Sequence, residues 1–124
     1  SVMGYTEAAT EDGVTRWTTG AQGLATTIDV KDASGDPRHA SGAGTVHHVA
    51  FRAADDAAQQ GMVSALAARG LQATEQVDRN YFRSVYFREP GGVLFEIATD
   101  DPGFAVDEPA ESLGQKLMLP PWLE

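Results

Sequence analysis

Only one stretch of this chain has the periodicity of a helix, and strand-like sequence flanks it on both sides. It runs from Asp55 to Arg69. Ala58, Met62 and Leu66 recur every four residues and share one face, with Val63 and Ala65 beside them. Asp55 and Asp56 stand where a helix N-terminus takes acidic caps, and Gly70 is a left-handed stop. Ahead of the helix, "TVHHVAFRA" reads as a strand. After it come "LQATEQVD", "SVYFRE" and "VLFEIAT", the last two joined by a tight "PGG" turn at 90–92. Residues 44–99 thus read β-α-β-β-β, with the helix on one face of the sheet.

Residues 1–38 contain no helix-period stretch. "GYTEAAT", a turn at "EDG" (11–13), "VTRWTTG" and the β-branched "GLATTIDVKD" read as three strands. "ASGDPRHASGAG" (33–44) is polar and rich in Gly, Ser and Ala, and 39–43 reads as a linker. From Asp100 to Glu124 the chain is an acidic tail punctuated by proline, with a short helix expected near Ala110 to Lys116. The expected fold class is α+β: one βαβββ module at 44–99, preceded over 1–38 by the terminal strands of an incomplete one.

Charge narrows the function. The 124 residues hold 9 Lys and Arg against 18 Asp and Glu, a net charge of −9. Nucleic-acid binding needs a basic face, so that partner is not expected. No apolar run approaches the ~20 residues of a membrane span, and no signal peptide opens the sequence. The absence of cysteine excludes disulfides and thiolate metal sites. A cytoplasmic location fits these features.

Strand alternation places the candidate site. Along "HHVAFRA", His48, Ala50 and Arg52 share one face, and His47, Val49, Phe51 and Ala53 share the other. Phe51 marks the second as the helix-packing face. Phe95 and Ile97 assign Glu96 to the opposite, concave side, and Val85 and Phe87 do the same for Tyr86. Three strands thus direct His48, Tyr86 and Glu96 to one concavity. A carboxylate within an apolar strand is costly unless paired or bound to metal. Arg52 or Arg79 is the ordinary partner for it. A His–Glu pair on one face instead offers N and O ligands suited to Fe, Mn, Zn or Ni. The ordinary roles of the remaining residues are plain. His47 bonds a backbone carbonyl, Arg79 is a solvated turn residue, Tyr86 packs, Phe51 and Met62 are core, Trp17 and Trp122 pack, and His39 is exposed in the loop.

"HHVAFRAAD", followed by the Glu of "GGVLFEIAT" 48 residues after His48, resembles the vicinal oxygen chelate superfamily. That superfamily includes glyoxalase I, bleomycin-resistance proteins and extradiol dioxygenases. "YFRSVYFREPGGVLFEIATDDPGFAVDEP" and the ending "LPPWLE" are similar to the C-terminal part of ring-cleaving dioxygenases that act on hydroquinone-type substrates. The resemblance implies that His48 and Glu96 are metal ligands, with Fe(II) as the metal and Mn(II) or another divalent ion as an alternative. It implies that His47, Arg79 and Tyr86 are catalytic, and that a small hydroquinone- or catechol-like aromatic and O2 are the substrates. Such enzymes hold iron with two His and one Glu, and this chain offers one His fewer. The isolated chain is therefore expected to bind metal at best, with little turnover. It is expected to form a homodimer that covers the open face. The other reading is a non-catalytic, small-molecule-binding dimer of the bleomycin-resistance type.

Overall fold

The computed structural model describes residues 1–22, 26–37, 40 and 42–123. The chain divides into two compact units, Ser1–Thr45 and Val46–Glu124. His39, expected in an exposed loop, lies outside the described residues.

The first unit is an antiparallel sheet of β1 (Thr6–Glu11), β2 (Val14–Thr18) and β3 (Thr27–Lys31), in that order. Asp12 and Gly13 join β1 to β2 with φ of 50° and 77°. Positive φ at both central residues gives the turn the twist that a two-residue hairpin needs. Arg16 of β2 faces Asp29 of β3 and grips it through two bonds of 2.7 Å.

The second unit holds β4 (Val49–Ala53), α1 (Asp56–Ala67), β5 (Val77–Asp78), β6 (Arg83–Arg88) and β7 (Leu94–Thr99). The sheet order is β4-β7-β6-β5, with β4 parallel to β7 and the other pairs antiparallel. The helix starts where Asp55 accepts the amide of Ala58 at 2.8 Å. It ends at Gly70, whose φ of 77° lets Gly70 N bond Ala67 O and Leu71 N bond Leu66 O. That paired closure is the Schellman arrangement.

One face of the sheet carries the core. Phe51 and Val85 flank Ile97 in register, and Ile97 is wholly buried, as nearly are Ala53, Leu66 and Phe87. The Phe95 ring meets those of Phe51 and Phe87 at 4.9 and 5.6 Å. Gln59 is buried among these residues. Its amide nitrogen donates to Arg83 O and Ile97 O at 2.9 and 2.8 Å, fastening the helix to two strands.

Several expectations shift. The strand expected over 71–78 shrinks to Val77–Asp78. Thr74 N bonds Tyr86 O, but Tyr86 N is answered by the Thr74 hydroxyl, so a side chain replaces the backbone rung and the ladder stops. The expected tail helix is a single 3₁₀ turn at Ala110–Ser112, ended before Gly114, whose φ is 74°. Met62 is half-buried, as is Trp17, but Trp122 is 62% exposed and packs little. The tail belongs to the same unit as the module. Gly103 N donates to Tyr81 O, the Tyr81 hydroxyl donates to Asp107, and the Tyr81 ring stacks on Phe104 at 5.3 Å.

Candidate metal site

Glu96 is the centre of the face opposite the helix. Alternation along β7 puts half-buried Phe95 and buried Ile97 on the helix side and turns Glu96 away from it. Tyr86 lies directly across from Glu96 in β6 and Ala50 directly across in β4. Ser84 stands two residues before Tyr86 and so shares its face.

Glu96 is 4% exposed, and both of its carboxylate oxygens have polar partners. Oε1 accepts two bonds, a short one from the Ser84 hydroxyl and one of 2.9 Å from the Tyr86 hydroxyl. Oε2 lies 2.7 Å from His48 Nε2. Beyond this shell, Arg79 Nε donates to the Tyr86 oxygen at 3.2 Å, and the guanidinium carbon stands 5.4 Å from the Tyr86 ring centroid. Each Glu96 oxygen therefore has a distinct environment: hydroxyls on one, imidazole on the other.

The histidines differ from the sequence expectation. Both precede β4, and their side chains do not diverge to opposite faces. Their Nδ1 atoms are 2.8 Å apart and the rings meet edge to face at 5.1 Å. Strict alternation holds only where a ladder keeps the backbone extended, and residues 45–48 lie outside the ladder. His47 thus bonds its neighbour's ring rather than a backbone carbonyl.

The arginine partners proposed for Glu96 are also corrected. Arg52 points to Asp100, with bonds of 2.5 to 2.9 Å, and Arg79 reaches Tyr86 instead. Ser84 was not anticipated. Its signal was available in its i−2 spacing from Tyr86, but a serine on a strand is too common to single out.

The donors fit a metal that takes N and O ligands. One imidazole nitrogen and one carboxylate oxygen, each about 2.0–2.2 Å from an ion, stand about 3 Å apart when they occupy neighbouring positions. The 2.7 Å between His48 Nε2 and Glu96 Oε2 is close to that. Among the described residues no group of three or more His, Cys, Asp or Glu is arranged to hold a metal.

One helix on a four-stranded sheet with a single parallel pair, and a His–Glu pair on the opposite face, define a βαβββ module of the vicinal oxygen chelate type. The sequence profile of the "Glyoxalase/Bleomycin resistance protein/Dioxygenase superfamily" matches residues 2–97, and the chain belongs to that superfamily. It is 48% identical to "Putative ring-cleaving dioxygenase MhqE" of Bacillus subtilis over 98% of its length and 39% of the relative's. It is 44% identical to the chlorohydroquinone/hydroquinone 1,2-dioxygenase of Sphingobium indicum over 68% of its length and 26% of the relative's. The crystal structure of a Bacillus subtilis protein titled "putative dioxygenase" superposes with a TM-score of 0.86 at 44% identity, over 99% of this chain and 39% of that one. Lactoylglutathione lyase from Agrobacterium tumefaciens, at 21% identity and a TM-score of 0.57 over 80% of this chain and 78% of its own, shares the fold. The chain spans about two fifths of the length of the Bacillus relatives it matches. Among the described residues no helix is long and apolar enough to cross a membrane.

Proposed function

We propose that this chain is the C-terminal part of a non-haem Fe(II) ring-cleaving dioxygenase acting on a hydroquinone- or catechol-like substrate. In this reading His48 and Glu96 bind the metal, and the third ligand comes from outside these residues. The observation that carries it is Glu96: a buried carboxylate with one oxygen held by two hydroxyls and the other presented to an imidazole nitrogen. The names of the relatives support the reaction class, and the short span of those relatives supports the idea of a part.

Iron, when bound, supplies a Lewis-acid centre that holds the phenolic substrate beside O2. Mn(II) would suit the same donors. The chain's own residues do the rest. Arg79 is exposed and cationic and holds the substrate oxyanion. Tyr86, between Arg79 and Glu96, positions a substrate oxygen. His47 is exposed beside the ligand and moves protons. The chain alone, lacking a ligand, turns over little and assembles as a cytoplasmic homodimer.

Metal analysis and oxygen uptake with a panel of hydroquinones and catechols test this. They are run on the 124-residue chain and on the chain joined to the rest of its reading frame. The longer protein should hold iron and consume oxygen, and Glu96→Gln should abolish both. Tyr86→Phe should keep the metal and lower kcat by about 100-fold, as expected when a contact that positions the substrate oxygen is lost. Robust uptake by the short chain overturns the incomplete-site reading. Aromatic binding by the longer protein with no Glu96-dependent metal would instead favour the non-catalytic binder.

A further inference from the structure

Ser84 is wholly buried, polar, and absent from the set of residues so far given a role in the chemistry. Its hydroxyl ends on Glu96 Oε1. It reaches that atom from a diagonal position: Tyr86, not Ser84, faces Glu96 across the ladder, while Ser84 faces Ala98. A diagonal neighbour on the same face is within side-chain reach.

We propose that Ser84 is a positioning residue that commits Glu96 to bind metal through one oxygen only. The inference rests on the metal reading of His48 and Glu96. A carboxylate can bind an ion through one oxygen or both, and what decides between them is whether the second oxygen is occupied. Here the Ser84 and Tyr86 hydroxyls both donate to Oε1, which leaves Oε2 facing His48 Nε2. The two donors are not equivalent. Tyr86 is half-buried and also engaged by Arg79, so a substrate oxygen can compete for its hydroxyl. Ser84 is beyond the reach of solvent and of substrate, and its bond persists when Tyr86 is drawn away. Ser84 thus keeps the carboxylate in one rotation through the substrate-binding step. A bound ion would then take one oxygen from Glu96 and would keep its other positions for substrate and O2.

Co(II) is the probe, because its visible spectrum reports coordination number. The chain joined to the rest of its reading frame, which in the proposed reading supplies the third ligand, is titrated with Co(II) as wild type, Ser84→Ala, Ser84→Thr and Glu96→Gln. Circular dichroism is taken on the same samples. Ser84→Ala should weaken Co(II) binding by about 10-fold or more, as removal of an outer hydrogen-bond partner does at metal sites. Its visible bands should weaken and shift toward higher coordination as Oε1 turns to the metal. Ser84→Thr keeps the hydroxyl and should restore the wild-type spectrum, which a purely packing role would not predict. Equal affinity and identical bands in wild type and Ser84→Ala overturn the role of Ser84 and leave the metal site standing. No Glu96-dependent Co(II) binding in the wild type overturns the metal reading and this inference with it. If Ser84→Ala does not fold, a Ser84→Thr spectrum unlike the wild type's overturns the role, and one like it supports the role.

Discussion

Glu96 shows how a single side chain binds stability and function together. Its three polar neighbours are satisfied by it, and among the described residues no buried side-chain nitrogen or oxygen lacks a partner. Removing the carboxylate strands the buried Ser84 hydroxyl. Glu96→Ala should therefore cost about 2 kcal/mol, within the usual penalty for an orphaned buried donor. His48 is half-buried, its neighbour His47 is exposed, and His48→Ala should cost clearly less. Urea denaturation of both metal-free variants measures the difference, and equal losses would mean the hydroxyls find other partners. Glu96→Ala should thus lose stability as well as metal affinity. The sequence made the carboxylate conspicuous because charge in an apolar strand is costly. It did not reveal the satisfying groups, because a serine and a tyrosine hydroxyl carry no charge to notice.

At the scale of elements, two ion pairs tie the pieces of the module together. Asp56, in the first turn of α1, accepts Arg83 Nε of β6 at 2.6 Å, and Arg52 of β4 grips Asp100 just past β7. The Arg83 bond is the main cause that holds the Asp56 carboxyl below its ordinary value of 3.8, and Arg52 does the same for Asp100. A carboxylate with a depressed folded-state pKa stabilises the fold fully above its unfolded value. That contribution is lost as pH falls from about 3.8 through the lower folded value. Asp56→Asn should thus melt lower than wild type at pH 7, and the two curves should converge as pH falls through the lowered folded-state value. A gap in melting temperature that is constant with pH would show that the pair contributes nothing through charge. The core answers differently. Ile97→Ala removes a wholly buried side chain between Phe51 and Val85, and chemical denaturation should show a loss of about 3 kcal/mol. The helix was legible because its cap, period and glycine stop agree. Gln59 was not, because glutamine on a helix is ordinarily solvated, and only packing shows that it reaches two strand carbonyls.

For the whole molecule, the open question is what covers the apolar surface. In the second unit β4 is an edge strand, Val49 is 40% exposed there, and Val46 just before it is more exposed still. The tail adds Leu117, Trp122 and Leu123, each more than half exposed. An unpaired edge and apolar side chains in water both favour association. Multi-angle light scattering should report a dimer of about twice the 13.2 kDa chain mass, with closed two-fold pairing the commonest form. A monomer at 100 µM would show that this surface tolerates water.

The sequence by itself determined the order of elements, the sides of the sheet and the helix that covers one of them. Those follow from local rules: a period of about 3.6 against a period of two, capping residues and turn glycines, each within a few residues of chain. It also singled out Tyr86 and Glu96 as sharing a face, because alternation along paired strands is fixed by backbone geometry. Tertiary structure alone decided the rest. It turned His47 and His48 toward each other where the ladder ends, sent Arg52 to Asp100 rather than Glu96, and brought Ser84 diagonally from β6 to the carboxylate on neighbouring β7. Each of these depends on register and on where pairing stops. Those are settled by the competition among long-range hydrogen bonds and core packing, which no local pattern records.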